Sequence, residues 1–529
     1  MAAVVLVRKD SYHDSVLLMR LSQALKGLAG VEDAVVAMGT PHNRELLAAQ
    51  GYAGPELSGA GPNDLVIAVR GRADSPQAVE AELERLLETG QARGAEEEAR
   101  PASLTAALAS HPEANLVLIS VPGEHAAREA RRALALGRHV MLFSDNVPLA
   151  DEVALKRDAV ARGLLMMGPD CGTAILNGKP LAFANAVRRG PIGIVGAAGT
   201  GIQEVSSIIH RLGCGVSQAL GTGGRDLSEE VGGLMVLFGI EALAADPGTK
   251  VIVVISKQPA PKMAQQVIAA LAATPKPCVV HFVGSDTRAA DTRRGIVYAD
   301  SLADAAEGAC RLSGVAGVPS AYTGPDPTHV AQLAARLPPD VKLRGLFCGG
   351  TTGQEALALL GRARIEVHSN LHKHGPLRMD GTEPGPATAA APGDPGHVLL
   401  DLGDDLFTRG RPHPMIEPVL RNERLAVEMA GSGARLLLFD CVLGYGAHPD
   451  PAGVLAAGLE QARALAGSRP VVAIASVTGT PDDPQDWHAQ ARKLEAADVA
   501  VERDNRAAAS LAAAVLVRAC GAAAPGRVG

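Results

Sequence analysis

A strand that runs into a glycine-rich turn and then a helix occurs twice in this chain, and this pattern restricts the fold more than any other feature. The first turn and helix start reads GTGIQE over Gly199–Glu204, and the second reads GTTGQE over Gly350–Glu355. Buried strands follow each copy, and each copy ends in an Ala-rich helix. Strands that alternate with helices in this way form parallel, doubly wound sheets. We therefore predict two duplicated α/β units.

The length of 529 residues is too great for a single core and leaves room for further domains before the duplicated pair. A small α+β unit comes first, and a second doubly wound α/β unit follows it. The stretch from residue 375 to 397 is rich in Pro, Gly and Ala and is predicted to be a mobile loop. The predicted domain ranges are 1–98, 99–188, 189–335 and 336–529.

Composition excludes several classes of function. With 50 Lys and Arg against 57 Asp and Glu, the chain has a formal charge of −7 and no basic footprint for nucleic acid or anionic lipid. Aromatic residues make up only 2% of the chain, which leaves few rings for stacking on bases. No apolar run reaches membrane-spanning length. The seven cysteines are widely spaced without a CxxC pair, so we predict a reduced, cytoplasmic protein that binds neither nucleic acid nor a membrane.

The two glycine-rich turns suit an anion. A helix start presents unpaired N–H groups and the positive end of the helix dipole, and glycine lets a ligand approach the backbone closely. The alternative is that the glycines only allow tight packing of strand against helix. The spacing is neither a dinucleotide fingerprint nor a Walker loop, which disfavours NAD and ATP. The predicted phosphate- or anion-binding residues are Gly196, Gly199, Thr200, Gly201, Gly349, Gly350, Thr351, Thr352 and, outside the two turns, Arg409.

Longer strings resemble a known superfamily. MGPDCGTAILNG, together with the sequence from Gly190 to Ser228, resembles the α subunit of succinyl-CoA synthetase over roughly residues 100–315. Roughly residues 340–520 are similar to the ligase domain at the end of its β subunit. LDLGDDLFTRGRPHPMIEPVLRNE and VLGYGAHPDPA resemble the FdrA family within this superfamily, over essentially the whole chain. The resemblance implies a Rossmann-like CoA-binding-type domain over 99–188 and two flavodoxin-like ligase domains after it.

The chain departs from the synthetase where phosphate is transferred. The segment that follows CVVHFVG has no histidine in the place of the synthetase's phosphohistidine, and His281 is interpreted as a core residue. Lys257 stands where the synthetase has a glutamate, and Gly196 and Ala198 stand where it has two serines. No ATP-grasp domain is present in the chain. We therefore expect a pocket for a free, doubly charged anion with no nucleotide and no required cofactor.

The FdrA resemblance implies one subunit of an oxamate carbamoyltransferase, an enzyme of allantoin breakdown. Its reaction converts oxalurate and phosphate into oxamate and carbamoyl phosphate. Two alternatives stay open: an acyl-CoA synthetase subunit whose nucleotide domain lies on another polypeptide, and a non-catalytic subunit that senses CoA or an anion. The expected partners are a small anionic substrate, phosphate and other subunits in a homo- or hetero-oligomer. CoA binding is possible at two loops that resemble the synthetase, through Ser120, Pro122, Asn146 and Pro148.

Further polar residues complete the prediction. Arg409 and Arg411 are candidates to clamp a carboxylate, with His413 as general acid–base, and the alternative is a surface loop paired with neighbouring aspartates. His448 follows a buried strand and is a second catalytic candidate, although an Asx-Pro turn explains its segment nearly as well. With Arg411, His413 and His448, Lys257 is the fourth catalytic candidate. The three histidines in HSNLHKHG lack a neighbouring carboxylate or cysteine, so no metal site is predicted.

Overall fold

The structure is a computed structural model, and it describes residues 3–11, 15–28, 30–40, 43–44, 47–48, 51–71, 81, 84–85, 101, 103–285, 295–319, 321–379, 396–408, 412–430 and 435–521. The chain divides into two compact units, Met1–His111 and Pro112–Gly529. Within the described residues, no helix is both long enough and apolar enough to cross a bilayer. All seven cysteines are free thiols, and only Cys520 is exposed.

The first unit is an antiparallel sheet in the order β1-β3-β2 with helices packed on it. Alternating apolar side chains, among them Val36 and Ile67, face the leucines of α1, which gives the sheet a buried face. Asp64 fixes the turn before β3 by accepting hydrogen bonds from Lys9 and from two backbone N–H groups. Its elements are β1 (Ala3–Arg8), α1 (Ser15–Lys26), β2 (Val31–Met38), α2 (Pro55–Ser58), β3 (Leu65–Gly71) and α3 (Leu104–Ser110).

The second unit opens with a small parallel sheet in the order β4-β5-β6. Right after β4 and after β5, loops lead into α4 and α5, and the two loops contact each other through a hydrogen bond from the Ser144 hydroxyl to the Val121 carbonyl oxygen. The elements are β4 (Leu116–Ile119), α4 (Gly123–Ala135), β5 (His139–Leu142), α5 (Leu149–Ala161) and β6 (Met166–Met167).

A seven-stranded sheet follows, in the order β13-β12-β11-β9-β10-β7-β8. Its five parallel strands, counted along the chain, have the flavodoxin-like order 2-1-3-4-5, and the antiparallel hairpin of β7 and β8 extends one edge. Its elements are β7 (Thr173–Leu176), β8 (Lys179–Ala182), β9 (Arg189–Ala197), α6 (Gly199–Arg211), β10 (Val216–Gly221), α7 (Leu234–Ala245), β11 (Val251–Ser256), α8 (Pro261–Ala273), β12 (Cys278–Phe282), β13 (Ile296–Tyr298) and α9 (Leu302–Leu312).

A six-stranded parallel sheet completes the unit, in the order β15-β16-β14-β17-β18-β19. Without the two-residue β15, its strands repeat the order 2-1-3-4-5. Its elements are α10 (Pro327–Ala334), β14 (Lys342–Phe347), α11 (Gly350–Arg362), β15 (Val367–His368), β16 (His397–Asp401), α12 (Asp405–Thr408), α13 (Val419–Ala430), β17 (Arg435–Val442), α14 (Pro451–Ala466), β18 (Val471–Thr478), α15 (Trp487–Ala496), β19 (Val499–Glu502) and α16 (Asn505–Ala519).

These observations confirm the predicted fold class: a small α+β domain, then doubly wound α/β sheets, two of them with flavodoxin-like strand order. The central strands β11 and β17 are buried along their whole length, as expected for parallel strands covered by helices on both faces. The predicted domain boundaries stay a prediction. Residues 173–182, which we grouped with the preceding domain, pair with β10 of the seven-stranded sheet.

The predicted mobile loop falls mostly on residues 380–395, outside the described residues. Its first part is described, and there Leu377 and Met379 form backbone hydrogen bonds with Ser369.

The repeated Gln-Glu of the two copies lies at the contact between the two large sheets. Glu204 of α6 accepts hydrogen bonds from the Asn505 N–H, at the start of α16, and from the Thr478 hydroxyl. Glu355 of α11 accepts from the Leu302 N–H, at the start of α9, and from the Asn505 side chain. Each glutamate therefore caps the closing helix of the other copy, which satisfies N–H groups that the helix itself leaves unpaired. Burial raises the pKa of both carboxyls, that of Glu355 to about 7.

This reciprocal capping predicts a pH-dependent stability. We expect Glu355→Gln to destabilise the protein by roughly 1–3 kcal/mol. Glu355 accepts hydrogen bonds from two donors, and the N–H₂ group of the new glutamine cannot accept from either of them. The pKa of Glu355 rises from 4.5 to about 7 on folding, so wild-type stability falls as pH rises through this interval. The variant lacks this pH-dependent loss. Thermal melting of both proteins between pH 4.5 and 8 measures the difference.

The matched control is Glu366→Gln, a change at an exposed glutamate of the same domain. It should leave both the melting temperature and its pH dependence unchanged. Parallel pH profiles for wild type and Glu355→Gln would contradict the capping role.

Candidate functional site

The two glycine-rich helix starts meet. The Thr351 N–H at the start of α11 donates a hydrogen bond to Thr200 Oγ1 at the start of α6, with an N···O distance of 3.2 Å. A Cβ atom built at Gly201 would lie 2.9 Å from Thr351 Cγ2, and one built at Gly349 would lie 2.8 Å from Thr200 Cγ2. Glycine at these two positions therefore lets the helices approach this closely. The junction lies at the carboxyl ends of β9 and β14, where doubly wound sheets bind ligands.

The start of α11 is already occupied by a carboxylate of the protein. Asp440, in the middle of β17, accepts hydrogen bonds from the N–H groups of Cys348 and Gly349 at 2.9 and 3.0 Å, and from the Thr352 hydroxyl at 2.8 Å. Arg421 pairs with the same carboxylate. Asp440 is fully buried and places a negative charge at the N-cap of α11, which disfavours an anionic ligand there. We therefore restrict the proposal of anion binding to the start of α6.

The start of α6 remains open. Among the described residues, no acceptor is bonded to the N–H groups of Gly199, Thr200 and Gly201, and Ala198 at the N-cap has no side chain that could cap them. Gly199 and Thr200 are only partly buried, so a ligand can reach these groups. Gly196 stays a predicted anion-binding residue, and the structure gives a packing reason for its glycine. It lies inside β9, and a Cβ atom there would be 2.4 Å from the Ile255 carbonyl oxygen, so its glycine is explained by strand packing.

Lys257 places the positive charge of its ammonium group at the junction. It directly follows β11, the strand beside β9, and its side chain is partly buried. A Cβ atom built at Gly350 would lie 3.0 Å from Lys257 Nζ and 2.6 Å from Asp401 Oδ2. Among the described residues, the Lys257 ammonium has no hydrogen bond and no carboxylate within 4.0 Å. An unpaired ammonium and three unpaired N–H groups thus lie at one junction.

Two aspartates face this lysine, and the sequence analysis selected neither. Burial raises the pKa of Asp401 to about 6, against the opposing effect of Lys257. Asp170 lies in the loop after β6 and is exposed, although protein atoms partly bury its carboxyl group. This burial raises the pKa of Asp170 to about 6, again against the effect of Lys257, with Asp145 and Asp405 adding to the increase.

His413 lies beside this cluster as a neutral imidazole. Its Nδ1 accepts a hydrogen bond from the Met415 N–H at 3.2 Å, so its proton is on Nε2. Burial lowers the pKa of His413 to about 4. A Cβ atom at Gly403 would lie 2.6 Å from this Nε2, and the ring packs on Phe183 with centroids 5.7 Å apart. The geometry therefore supports a hydrogen-bond donor rather than the predicted general acid–base.

The remaining predicted site residues lie outside the described residues or in the turn before α14. Arg409 and Arg411 are not among the described residues. His448 lies in the turn before α14, where its Nδ1 accepts from the Asp450 N–H and its own N–H donates to the Met415 carbonyl oxygen. Asp450 caps α14, so the Asx-Pro turn accounts for this segment.

The predicted CoA-binding residues Ser120, Pro122, Asn146 and Pro148 are all exposed on the two contacting loops after β4 and β5. A Cβ atom at Gly123 would lie 2.3 Å from the Asp145 carbonyl oxygen, so glycine permits this loop contact. A role for these residues in CoA binding stays a prediction. In the described part of the chain, no three His, Cys, Asp or Glu side chains converge in a way that could hold a metal ion.

The close contact of α6 with α11 can be tested by stability alone. We expect Gly201→Ala to destabilise the protein by roughly 1–3 kcal/mol, because the new methyl group collides with Thr351. Gly361→Ala is the control, since a Cβ atom there meets nothing within 4 Å and alanine favours the helix. Urea denaturation of the three proteins measures the effect. Equal midpoints for Gly201→Ala and wild type would contradict the contact.

Family models match three parts of the chain. Residues 1–102 match the AllF, heavy metal-associated domain, residues 187–284 match the CoA binding domain, and residues 346–515 match CoA-ligase. Residues 1–111 contain no cysteine, so the first match lacks the thiolates that soft metals prefer. The CoA-binding match begins at the end of the range 99–188, so the CoA-binding type of that range stays a prediction.

Whole-chain comparisons give a full-length relative. YahF of Escherichia coli K12, described as an uncharacterized protein, is 43% identical over 499 residues, which cover 93% of this chain and 95% of YahF. The mitochondrial succinate–CoA ligase [ADP-forming] subunit alpha-2 of Trichomonas vaginalis is 30% identical over 150 residues, which cover 27% of this chain and 47% of that subunit.

Among solved structures, the apo form of the dinucleotide-forming acetyl-coenzyme A synthetase 1 of Ca. Korarchaeum cryptofilum aligns with 77% of this chain and 84% of that one, at 17% identity. Its TM-score of 0.30 is too low to support an argument. The chain belongs to the same family as YahF, and it carries an AllF-type N-terminal domain followed by succinyl-CoA synthetase-like CoA-binding and CoA-ligase domains.

Proposed function

We propose that this chain is the subunit of an acyl-transfer enzyme that binds phosphate, or the phosphate of a small acyl phosphate, at the start of α6. The observation that carries the proposal is that the unpaired N–H groups of Gly199, Thr200 and Gly201 and the unpaired ammonium of Lys257 lie at the junction of α6 and α11. N–H groups at a helix start favour an anion, and a nearby ammonium adds a charge-assisted contact. Both contacts strengthen as negative charge develops on a phosphoryl oxygen.

The carboxylates of Asp401 and Asp170 support a more specific proposal. Carboxylates accept hydrogen bonds and repel other anions, so they suit an acyl group that carries N–H donors. A carbamoyl group has such donors, whereas an acetyl or succinyl group has none. We therefore propose carbamoyl transfer between an oxalurate-like ureido acid and phosphate, the reaction that the FdrA resemblance implies. Arg409 and Arg411 remain candidates for binding the carboxylate of the ureido acid.

The protein has no need of a phosphohistidine in this reaction, because the carbamoyl group passes directly to phosphate. His281 is unsuited to carry phosphate. It is buried in β12 with Nδ1 bonded to the Ala299 carbonyl oxygen, and burial lowers its pKa to about 4.

A second candidate function is an acid–thiol ligase subunit that forms an acyl-CoA. It is favoured by the matches to CoA-ligase and CoA-binding models and by the similarity to a succinate–CoA ligase subunit. In this case CoA would bind near Ser120, Pro122, Asn146 and Pro148, and a partner subunit would supply the nucleotide site. The relative is named as a subunit, which supports a hetero-oligomer under either proposal. Both reactions are proposed for the cytoplasm.

Phosphate binding by the chain is the first test. We expect phosphate to raise the melting temperature in a concentration-dependent way, because binding to the folded state stabilises it. Lys257→Gln should weaken the apparent phosphate affinity about 10-fold, since it removes a charged partner worth roughly 1.4 kcal/mol. Lys262→Gln, at an exposed lysine of the next helix, should match wild type. Equal phosphate responses in wild type and Lys257→Gln would contradict the proposed site.

Turnover separates the two candidate functions. The full chain, alone and with the products of adjacent genes, is incubated with oxalurate and phosphate, and separately with succinate, CoA and ATP. Carbamoyl phosphate formed without nucleotide is the expected result. Acyl-CoA that forms only with ATP would establish the ligase instead, and phosphate binding without turnover in either mixture would favour a sensing subunit.

A further inference from the structure

Asp401 is held rigidly at the end of β16. Its backbone N–H and carbonyl oxygen are both bonded to the side chain of Asn370, at 3.0 Å each. Its Oδ1 accepts the Gly403 N–H, also at 3.0 Å. Two hydrogen bonds therefore fix the backbone of Asp401 and a third orients its carboxyl group before any ligand arrives, which is how a group that reacts with a substrate is positioned.

The second oxygen of this carboxyl has no partner. Oδ2 lies toward the Cα of Gly350, next to Lys257 Nζ, at the junction of α6 and α11. Among the described residues no group donates a hydrogen bond to it, although the residue is only 5% exposed. Oδ2 is not an enclosed atom, so a ligand at the junction can reach it and bond to it. Glycine at 350 is required here, because a Cβ atom would collide with Oδ2 at 2.6 Å.

We propose that Asp401 is the catalytic residue that carries the proton in the reaction at this site, an inference that rests on the proposed function. A phosphate oxygen forms a bond to the carbamoyl carbon of the ureido acid, and the bond from that carbon to the amide nitrogen breaks. The leaving nitrogen gains one proton and hydrogen phosphate loses one. The Asp401 carboxyl gives its proton to the leaving nitrogen, and the resulting carboxylate takes the proton of the phosphate.

The other titratable groups near Asp401 are already engaged in hydrogen bonds with the protein. The lone pair of His413 Nδ1 is used by the Met415 N–H, and its Nε2 carries the proton. Asp440 is bonded to Cys348, Gly349, Thr352 and Arg421. Burial raises the pKa of Asp401 to about 6, so its protonated and ionised forms are both accessible near neutral pH. Among the described residues, the charged or titratable groups that face Asp401 include Lys257, Asp404, Asp440 and His413.

Sulfate tests the assignment without turnover, because it stays a dianion between pH 5 and 8. In wild type, the rise in melting temperature that sulfate produces should grow as pH falls through about 6, since protonated Asp401 stops repelling the anion and donates to it. In Asp401→Asn most of this pH dependence should be lost. Asp170→Asn, which changes the other carboxyl facing Lys257, should keep most of it because Asp170 is exposed, and Asp404→Asn should keep all of it.

Each outcome has a distinct meaning. A sulfate response with the same pH dependence in Asp401→Asn as in wild type, or one that disappears in Asp170→Asn instead, would overturn the role of Asp401 and leave the anion site intact. No sulfate response in any protein at any pH would overturn the anion site and, with it, this inference. In the carbamoyl phosphate assay, Asp401→Asn should lower kcat by about 100-fold or more while the phosphate-induced stabilisation persists.

Discussion

The contact of α6 with α11 is the constraint on which the rest of the site depends. Two helix starts repel each other through their like dipole ends, so they do not meet this closely without compensation. At α11 the compensation is built in, because Asp440 neutralises the helix start and Arg421 balances Asp440. At α6 no side chain among the described residues supplies it. Because only α11 has a compensating carboxylate, only the start of α6 remains available to bind an anion.

The duplication explains why the two halves fit together. Glu204 and Glu355 occupy the same position in the two copies, and each bonds to the first N–H of the helix that closes the other copy. These contacts bury two carboxyls at an internal interface, and they hold the helix starts of α6 and α11 in register. In each copy, the glutamate that bonds across the interface thus follows the glycine-rich helix start by about one helical turn.

Much of the fold follows from the sequence, because periodicity and glycine spacing are local signals. The duplicated strand, turn and helix and the parallel sheets were within reach of such signals, whereas the apposition of Thr200 with Thr351 joins residues 151 positions apart and depends on the fold. The position of Lys257 came from resemblance. For Gly196 both interpretations stay open, because a glycine that packs a strand and one that meets a ligand look alike in sequence.

The groups that the sequence analysis missed act over long separations. Asp440 carried a signal, a lone charge inside the apolar run LLLFDCV, but its partners at the start of α11 lie about 90 residues earlier and only the fold brings them together. Asp401 is the last residue of β16, and the sequence analysis considered the aspartates that follow it instead. The tautomer of His413 depends on one backbone N–H two residues away, which sequence does not reveal.

The most direct test is the location of a heavy oxyanion in crystals. Crystals grown without phosphate or sulfate are soaked in tungstate, a doubly charged tetrahedral ion, and the metal is located by anomalous scattering. We predict one ion bound to the N–H groups of Gly199, Thr200 and Gly201 and to Lys257, with the start of α11 still occupied by Asp440. Tungstate at the start of α11, or none at α6 when it is bound elsewhere, would contradict the account.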